Sequence, residues 1–151
     1  MLGYNEKALE LYRMINPIEH SRTKEASQKY KVEPYVIAAD IYGAQNLIGR
    51  GGWTWYTGSS SWYYKAGIEY ILGLKIEEGY MTIEPCIPKN WKEYQIQYKW
   101  KESIYNIHVK NELAEGNEEN RNKEIIVNGI KQENKIKLDG KPQIYNVEIE
   151  I

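Results

Sequence analysis

The hydrophobic period of this chain changes once, near its middle, and that change limits the folds open to it. From Glu6 to Ile15, Ala8, Leu9, Leu11, Tyr12 and Ile15 recur three and four apart, the spacing of one helix face. Asn5 is placed to cap that helix and Pro17 to stop it. Thr23 to Lys31 reads as a second, more polar helix. Pro34 suits the first turn of a short helix through Tyr42, with Gly43 as its stop. Another helix is expected from Ser59 or Ser60 to Leu72. Its apolar positions, among them Trp62, Tyr63, Ala66, Tyr70 and Ile71, cover so much of the cylinder that it should be well buried. Beyond Gly73 the period becomes two. Tyr80 to Ile83, Tyr94 to Trp100 and Ile104 to Val109 alternate like half-buried strands. Residues 111–124 read as a long exposed loop. Asn128-Gly129 between Ile125–Val127 and Ile130 is a tight-hairpin signal. Lys135 to Leu138 and Ile144 to Ile151 add strands. Helices followed by strands predict an α+β chain, or the tail of a helical domain joined to a β-sandwich. The boundary should fall between Gly73 and Tyr80.

At 151 residues the chain has the length of an ordinary domain. Its net charge of −1 gives no electrostatic case for nucleic acid or an anionic membrane. Mean hydropathy is −0.69, and no apolar run approaches the ~20 residues of a membrane span. The opening residues lack a secretory pattern. The single cysteine, Cys86, can form no internal disulfide. A cytoplasmic location is the expectation. His20 and His108 lie far apart and offer no metal-ligand spacing. Ser59, Ser60 and Ser61 lack the glycine pattern and paired histidine of a nucleophile elbow, which argues against a serine hydrolase.

The stretch Gly49 to Tyr64, GRGGWTWYTGSSSWYY, is too polar and glycine-rich for a simple core element. Aromatic faces, hydroxyls and glycines that let a ligand approach the backbone are the chemistry of a cavity wall. A sugar is the ligand that best suits this mixture. The same stretch, with Asn16–His20, Tyr30–Tyr42, Tyr70–Gly73 and Pro85–Pro88 in order around it, resembles the C-terminal end of glycoside hydrolase family 94, formerly glycosyltransferase family 36. The similarity covers roughly residues 1–110. It is strongest to the branch containing cyclic β-1,2-glucan synthases and 1,2-β-oligoglucan phosphorylases.

The resemblance implies an architecture. Residues 1–75 would be the last helices of an (α/α)6 barrel, and residues 76–151 an antiparallel, jelly-roll-like β-sandwich. It also implies an activity. The intact enzyme would break or remake a β-glucan bond with inorganic phosphate as co-substrate, inverting to α-glucose 1-phosphate and needing no other cofactor. The family's proton-donating Asp, and its phosphate-binding His and Arg, lie upstream of the region matched here. The chain is therefore expected to be a fragment or split-gene product, inactive alone, with an upstream polypeptide as the partner that would complete the barrel.

The site residues follow from the same match. Thr57 and Gly58 correspond to the family's phosphate-holding hydroxyl-Gly pair. Read from the residues alone, they are a helix cap and a relief of crowding rather than a phosphate site. Glu33 and Tyr35 belong to a block implied to wall the sugar site, with Asp40 beside them. Without the resemblance, Glu33 is a carboxylate favoured at a helix start. Arg50 can fork to hydroxyls or phosphate, and Trp53 and Trp55 can stack on pyranose faces. If residues 53–55 are extended, the two rings share a side. One of them is expected to face the ligand and the other to pack in the core. Some relatives carry a sugar-contacting Gln near Ala39. Its absence implies a saccharide preference unlike that of cellobiose phosphorylase. Two other readings stay open: a carbohydrate-binding module on residues 80–151, using exposed Trp91, Tyr94 and Trp100, and a purely structural interaction domain.

Overall fold

A computed structural model describes residues 4–55, 58–112 and 123–151. The chain forms two compact units, Met1–Ile71 and Leu72–Ile151. It is α+β, with helices in the first unit and most strands in the second.

In the first unit, helix α1 spans Asn5–Met14. Asn5 is its first helical residue rather than its cap, because Tyr4 occupies the cap position and already accepts the first turn's hydrogen bond from Ala8. The helix carries two apolar stripes. Leu9 is buried and Tyr12 stacks on Tyr63 at 4.0 Å between ring centroids, whereas Leu11, Met14 and Ile15 are exposed. A 3-10 turn, Glu19–Ser21, leads to helix α2, Lys24–Tyr30. Thr23 caps α2 by accepting from Ala26 N at 3.1 Å, and Lys31 ends it in the left-handed region at φ 54.

No helix follows Pro34. Residues 31–39 form turns and extended backbone, leading to the short strand β1, Asp40–Ile41. The amides toward the end of the expected helix are committed elsewhere. Ala39 N donates to Trp53 O and Tyr42 N to Arg50 O, so this stretch pairs with strand β2, Gly51–Gly52. A backbone donor used across a hairpin cannot also close a helical turn.

Helix α3, Ser59–Lys65, begins after Gly58, which takes the cap position with no side-chain cap. It runs into a π-helical turn, Ala66–Ile71. This element is not well buried. Ile71 is its buried residue, while Trp62 is 72% and Tyr64 71% exposed. Its apolar circumference exceeds what the first unit covers.

The second unit holds two sheets. Strands β3 (Leu74–Glu77) and β4 (Tyr80–Ile83) form a hairpin, and β9 (Ile136–Lys137) joins β4. Strand β3 lies in the interval that the alternation left between the two halves. Its turn, Glu78-Gly79, has φ of 50 and 79, the two positive values of a primed hairpin turn. The five-stranded sheet runs β5 (Glu93–Trp100), β6 (Ser103–Lys110), β10 (Ile144–Glu150), β7 (Glu124–Val127) and β8 (Ile130–Gln132). Asn128-Gly129 makes the expected β7–β8 turn, with φ of 49 and 79. The sheets are not wholly antiparallel. Strands β6 and β10 pair in parallel register, Asn106 beside Asn146 and His108 beside Glu148. Each sheet has one buried face. Met81, Ile83 and Ile136 cover one; Tyr105, Ile107, Val109, Ile125, Val147 and Ile149 cover the other.

The expected exposed loop at 111–124 differs at both described ends. Asn111 is buried, its Nδ2 donating to Trp91 O at 2.9 Å, and Glu124 begins β7. Residues 113–122 lie outside the described set.

At the end of this unit, Asp139 accepts from Tyr145 Oη at 2.7 Å and from Lys141 N at 3.1 Å. Those bonds, the tyrosine's first, hold its carboxyl below the usual value of 3.8. The same contact pushes the Tyr145 hydroxyl up to about 12. A depressed carboxyl contributes stability above its unfolded pKa, and that contribution is lost as pH falls through the folded value. Tyr145→Phe should raise the Asp139 pKa toward 3.8, read by carboxyl-carbon NMR titration. An unmoved titration would contradict the assignment.

Candidate functional site

The sequence-predicted sugar-wall residues converge on the loop that frames the β1–β2 hairpin. A small core holds it. Tyr30, Val32 and Val36 are buried with Ala38 packed against them, and the His20 ring stacks on Tyr30 at 4.7 Å. Gly51 sits directly on this core. A Cβ there would come within 2.5 Å of Val32 Cγ2 and 3.0 Å of Tyr30 Cε2. The hairpin therefore lies close over the core, and the following residues turn outward.

Glu33, Tyr35 and Trp55 meet in that outward turn. Trp55 Nε1 donates to Glu33 Oε1 at 3.3 Å. Tyr35 meets Trp55 edge-on, centroids 6.0 Å apart and planes at 66°. Tyr35 is 73% exposed and Trp55 70%, so a ring face stays open beside a carboxylate. Glu33 sits in a turn, its carbonyl accepting from Val36 N at 3.1 Å, which removes the helix-start reading of its carboxylate.

Trp53 is 69% exposed, so neither tryptophan serves as core. The extended geometry that would put both rings on one side does not occur. Strand β2 ends at Gly52, and Trp53 and Trp55 adopt φ of 53 and 65. Bulky residues in the left-handed region are uncommon, and such backbone concentrates at binding sites.

Arg50 is exposed at the hairpin's edge, its backbone paired with Tyr42 and Leu47. Asp40 is exposed on β1. Gly58 is exposed at the start of α3, its carbonyl accepting from Ser61 N and Trp62 N, with open space where a Cβ would be. Thr57, the other half of the expected phosphate pair, lies outside the described residues.

The aromatics considered for a binding module on the second unit are not exposed. Trp91, Tyr94 and Trp100 are half-buried, and Tyr94 Oη donates to Leu72 O at 2.6 Å. Burial pushes that hydroxyl's pKa up. A different feature, a polar groove on the sheet's opposite face, escapes sequence reading. Its signal is the polar half of the β5 and β6 alternation.

Residues 1–73 match the family model described as "Glycosyl hydrolase 94 superfamily, catalytic domain". The chain is 42% identical over 111 residues to the cyclic beta-(1,2)-glucan synthase NdvB of Rhizobium meliloti (strain 1021), covering 74% of this chain and 4% of that protein. It is 32% identical over 111 residues to the N,N'-diacetylchitobiose phosphorylase of Vibrio furnissii, covering 73% and 14%. With the solabiose phosphorylase of Paenibacillus borealis it shares 27% over 120 residues, covering 75% and 14%. These alignments are longer than the 73-residue match and so run into the second unit. The chain spans a small part of each relative's length.

Among the described residues, no helix is long and apolar enough to cross a membrane.

Proposed function

We propose, since residues 1–73 place this chain in the glycosyl hydrolase 94 superfamily, that it is one wall of an inverting β-glucan phosphorylase or glucosyltransferase site. On this reading the first unit supplies the last helices of an (α/α)6 barrel, and the second a jelly-roll sandwich. The observation that carries it is the exposed Trp55–Tyr35–Glu33 cluster. An indole face offers a pyranose ring an apolar platform, and the neighbouring carboxylate accepts from its hydroxyls. Trp53 and Arg50 extend the wall. Thr57 and Gly58 hold the phosphate co-substrate.

Inverting phosphorolysis needs a carboxylic acid to protonate the leaving oxygen while phosphate attacks the opposite face. Glu33 is not that acid in this proposal. Its bond to Trp55 makes it a positioning group on the sugar side. The proton donor belongs to a second polypeptide or an upstream segment that completes the barrel. The single cysteine suits a reducing cytoplasm.

The test is a titration of the chain with β-1,2-linked glucooligosaccharides, followed by tryptophan fluorescence. Trp55→Ala should weaken binding about thirtyfold, the loss of about 2 kcal/mol common for a central tryptophan. Unchanged affinity would remove the wall. With phosphate added, the chain alone should release no glucose 1-phosphate. Release would overturn the assignment of the acid to another segment.

A further inference from the structure

The solvent face of the five-stranded sheet carries two rows of hydrogen-bonding side chains that the first site does not use. Strands β5, β6 and β10 align Gln97, Asn106 and Asn146 in one row and Gln95, His108 and Glu148 in the next. The amide row is already oriented. Gln97 Nε2 donates to Asn106 Oδ1 at 3.0 Å, and Asn106 Nδ2 to Asn146 Oδ1 at 3.5 Å. His108 Nε2 lies 2.9 Å from Glu93 Oε2. Together the rows line a groove of about 400 Å³, the size of a small-ligand site.

The chemistry of the groove selects its occupant. Each amide is both donor and acceptor, and a pyranose hydroxyl needs both. The amide row carries no charge, and the carboxylate of Glu148 in the neighbouring row can accept from a sugar hydroxyl. The positions next along β6 and β10 are Ile104 and Ile144, paired side by side, with Ile144 exposed. An apolar pair next to an amide row matches the C–H face and hydroxyl rim of a sugar ring. We infer that this sheet face is a second saccharide site, for a neutral β-glucan segment, separate from the Trp55 cluster. The choice of glucan rests on the proposed function; the site itself does not.

The experiment is an NMR titration of the isotope-labelled full chain with a β-1,2-linked glucooligosaccharide. The expected result is saturable shifts of the Gln95, Gln97 and Asn106 side-chain amides. Asn106→Ala should weaken these about tenfold and Trp55→Ala should leave them unchanged. Gln97→Ala, at an exposed position, provides a second variant should Asn106→Ala disturb the sheet. Shifts confined to the Trp53 and Trp55 indoles would overturn the groove and leave the proposed function standing. Shifts confined to the groove would support it while removing the Trp55 wall. No shift in the groove amides at about 20 mM saccharide, well above ordinary weak-binding constants, would overturn the inference.

Discussion

Gly73→Ala is expected to destabilise the second unit by about 3 kcal/mol, whereas Gly79→Ala should cost about 1 kcal/mol. Both glycines have the same backbone, φ of 78 and 79. Their surroundings differ. A Cβ at Gly79 meets nothing within 4 Å, but at Gly73 it runs into the backbone carbonyl of Glu84 and lies 2.5 Å from Pro85 N. Backbone cannot rotate aside as a lysine tip can, and Glu84 N is held by a 2.9 Å bond to Gly73 O. The pair of variants therefore separates left-handed strain from steric conflict. For a unit of this size, each kcal/mol shifts the melting midpoint by about 4–8 °C. The Gly73 variant should melt about 8–16 °C below the Gly79 variant. Equal midpoints would mean the β3–β4 sheet does not close against residues 84–85.

Gly73 also marks where sequence reading works and where it stops. It is legible as a helix end, and the alternation beyond it gives β4, β5 and β6 with little error in their bounds. Strand β3 escapes because LKIE is four residues long and Glu78-Gly79 is a weaker turn signal than Asn128-Gly129. The parallel pairing of β6 with β10 is not legible either. Alternation fixes which side chains point inward, and parallel and antiparallel neighbours impose the same alternation. The helix expected after Pro34 fails because a local preference meets a nonlocal competitor, the hairpin partner at residues 50–53. At the site, residue types at Glu33, Tyr35 and Trp55 suggest sugar chemistry. That the three touch follows from the Tyr30–Val36 core, which no short-range pattern reveals.

The same limit explains α3 and leads to the other large effect. Its apolar circumference implies burial, yet Trp62, Tyr64 and Tyr70 are exposed. All but two of the large apolar side chains exposed among the described residues belong to the first unit; the others are Ile130 and Ile144. Large apolar side chains left exposed in this number suit an interaction face. On the proposed reading, the rest of a barrel covers it. The purified chain should therefore self-associate at micromolar concentration and bind an apolar dye. Trp62→Lys distinguishes surface from core. Burying a large side chain at an interface contributes about 2–3 kcal/mol, so the variant should weaken association at least about thirtyfold in sedimentation. As a surface change within one molecule it should alter folding stability by no more than about 0.5 kcal/mol. A monomeric wild-type chain at about 100 μM, a concentration at which such contacts should hold, would show that the face needs no cover. A steep loss of melting temperature in the variant would show instead that Trp62 packs within its own molecule.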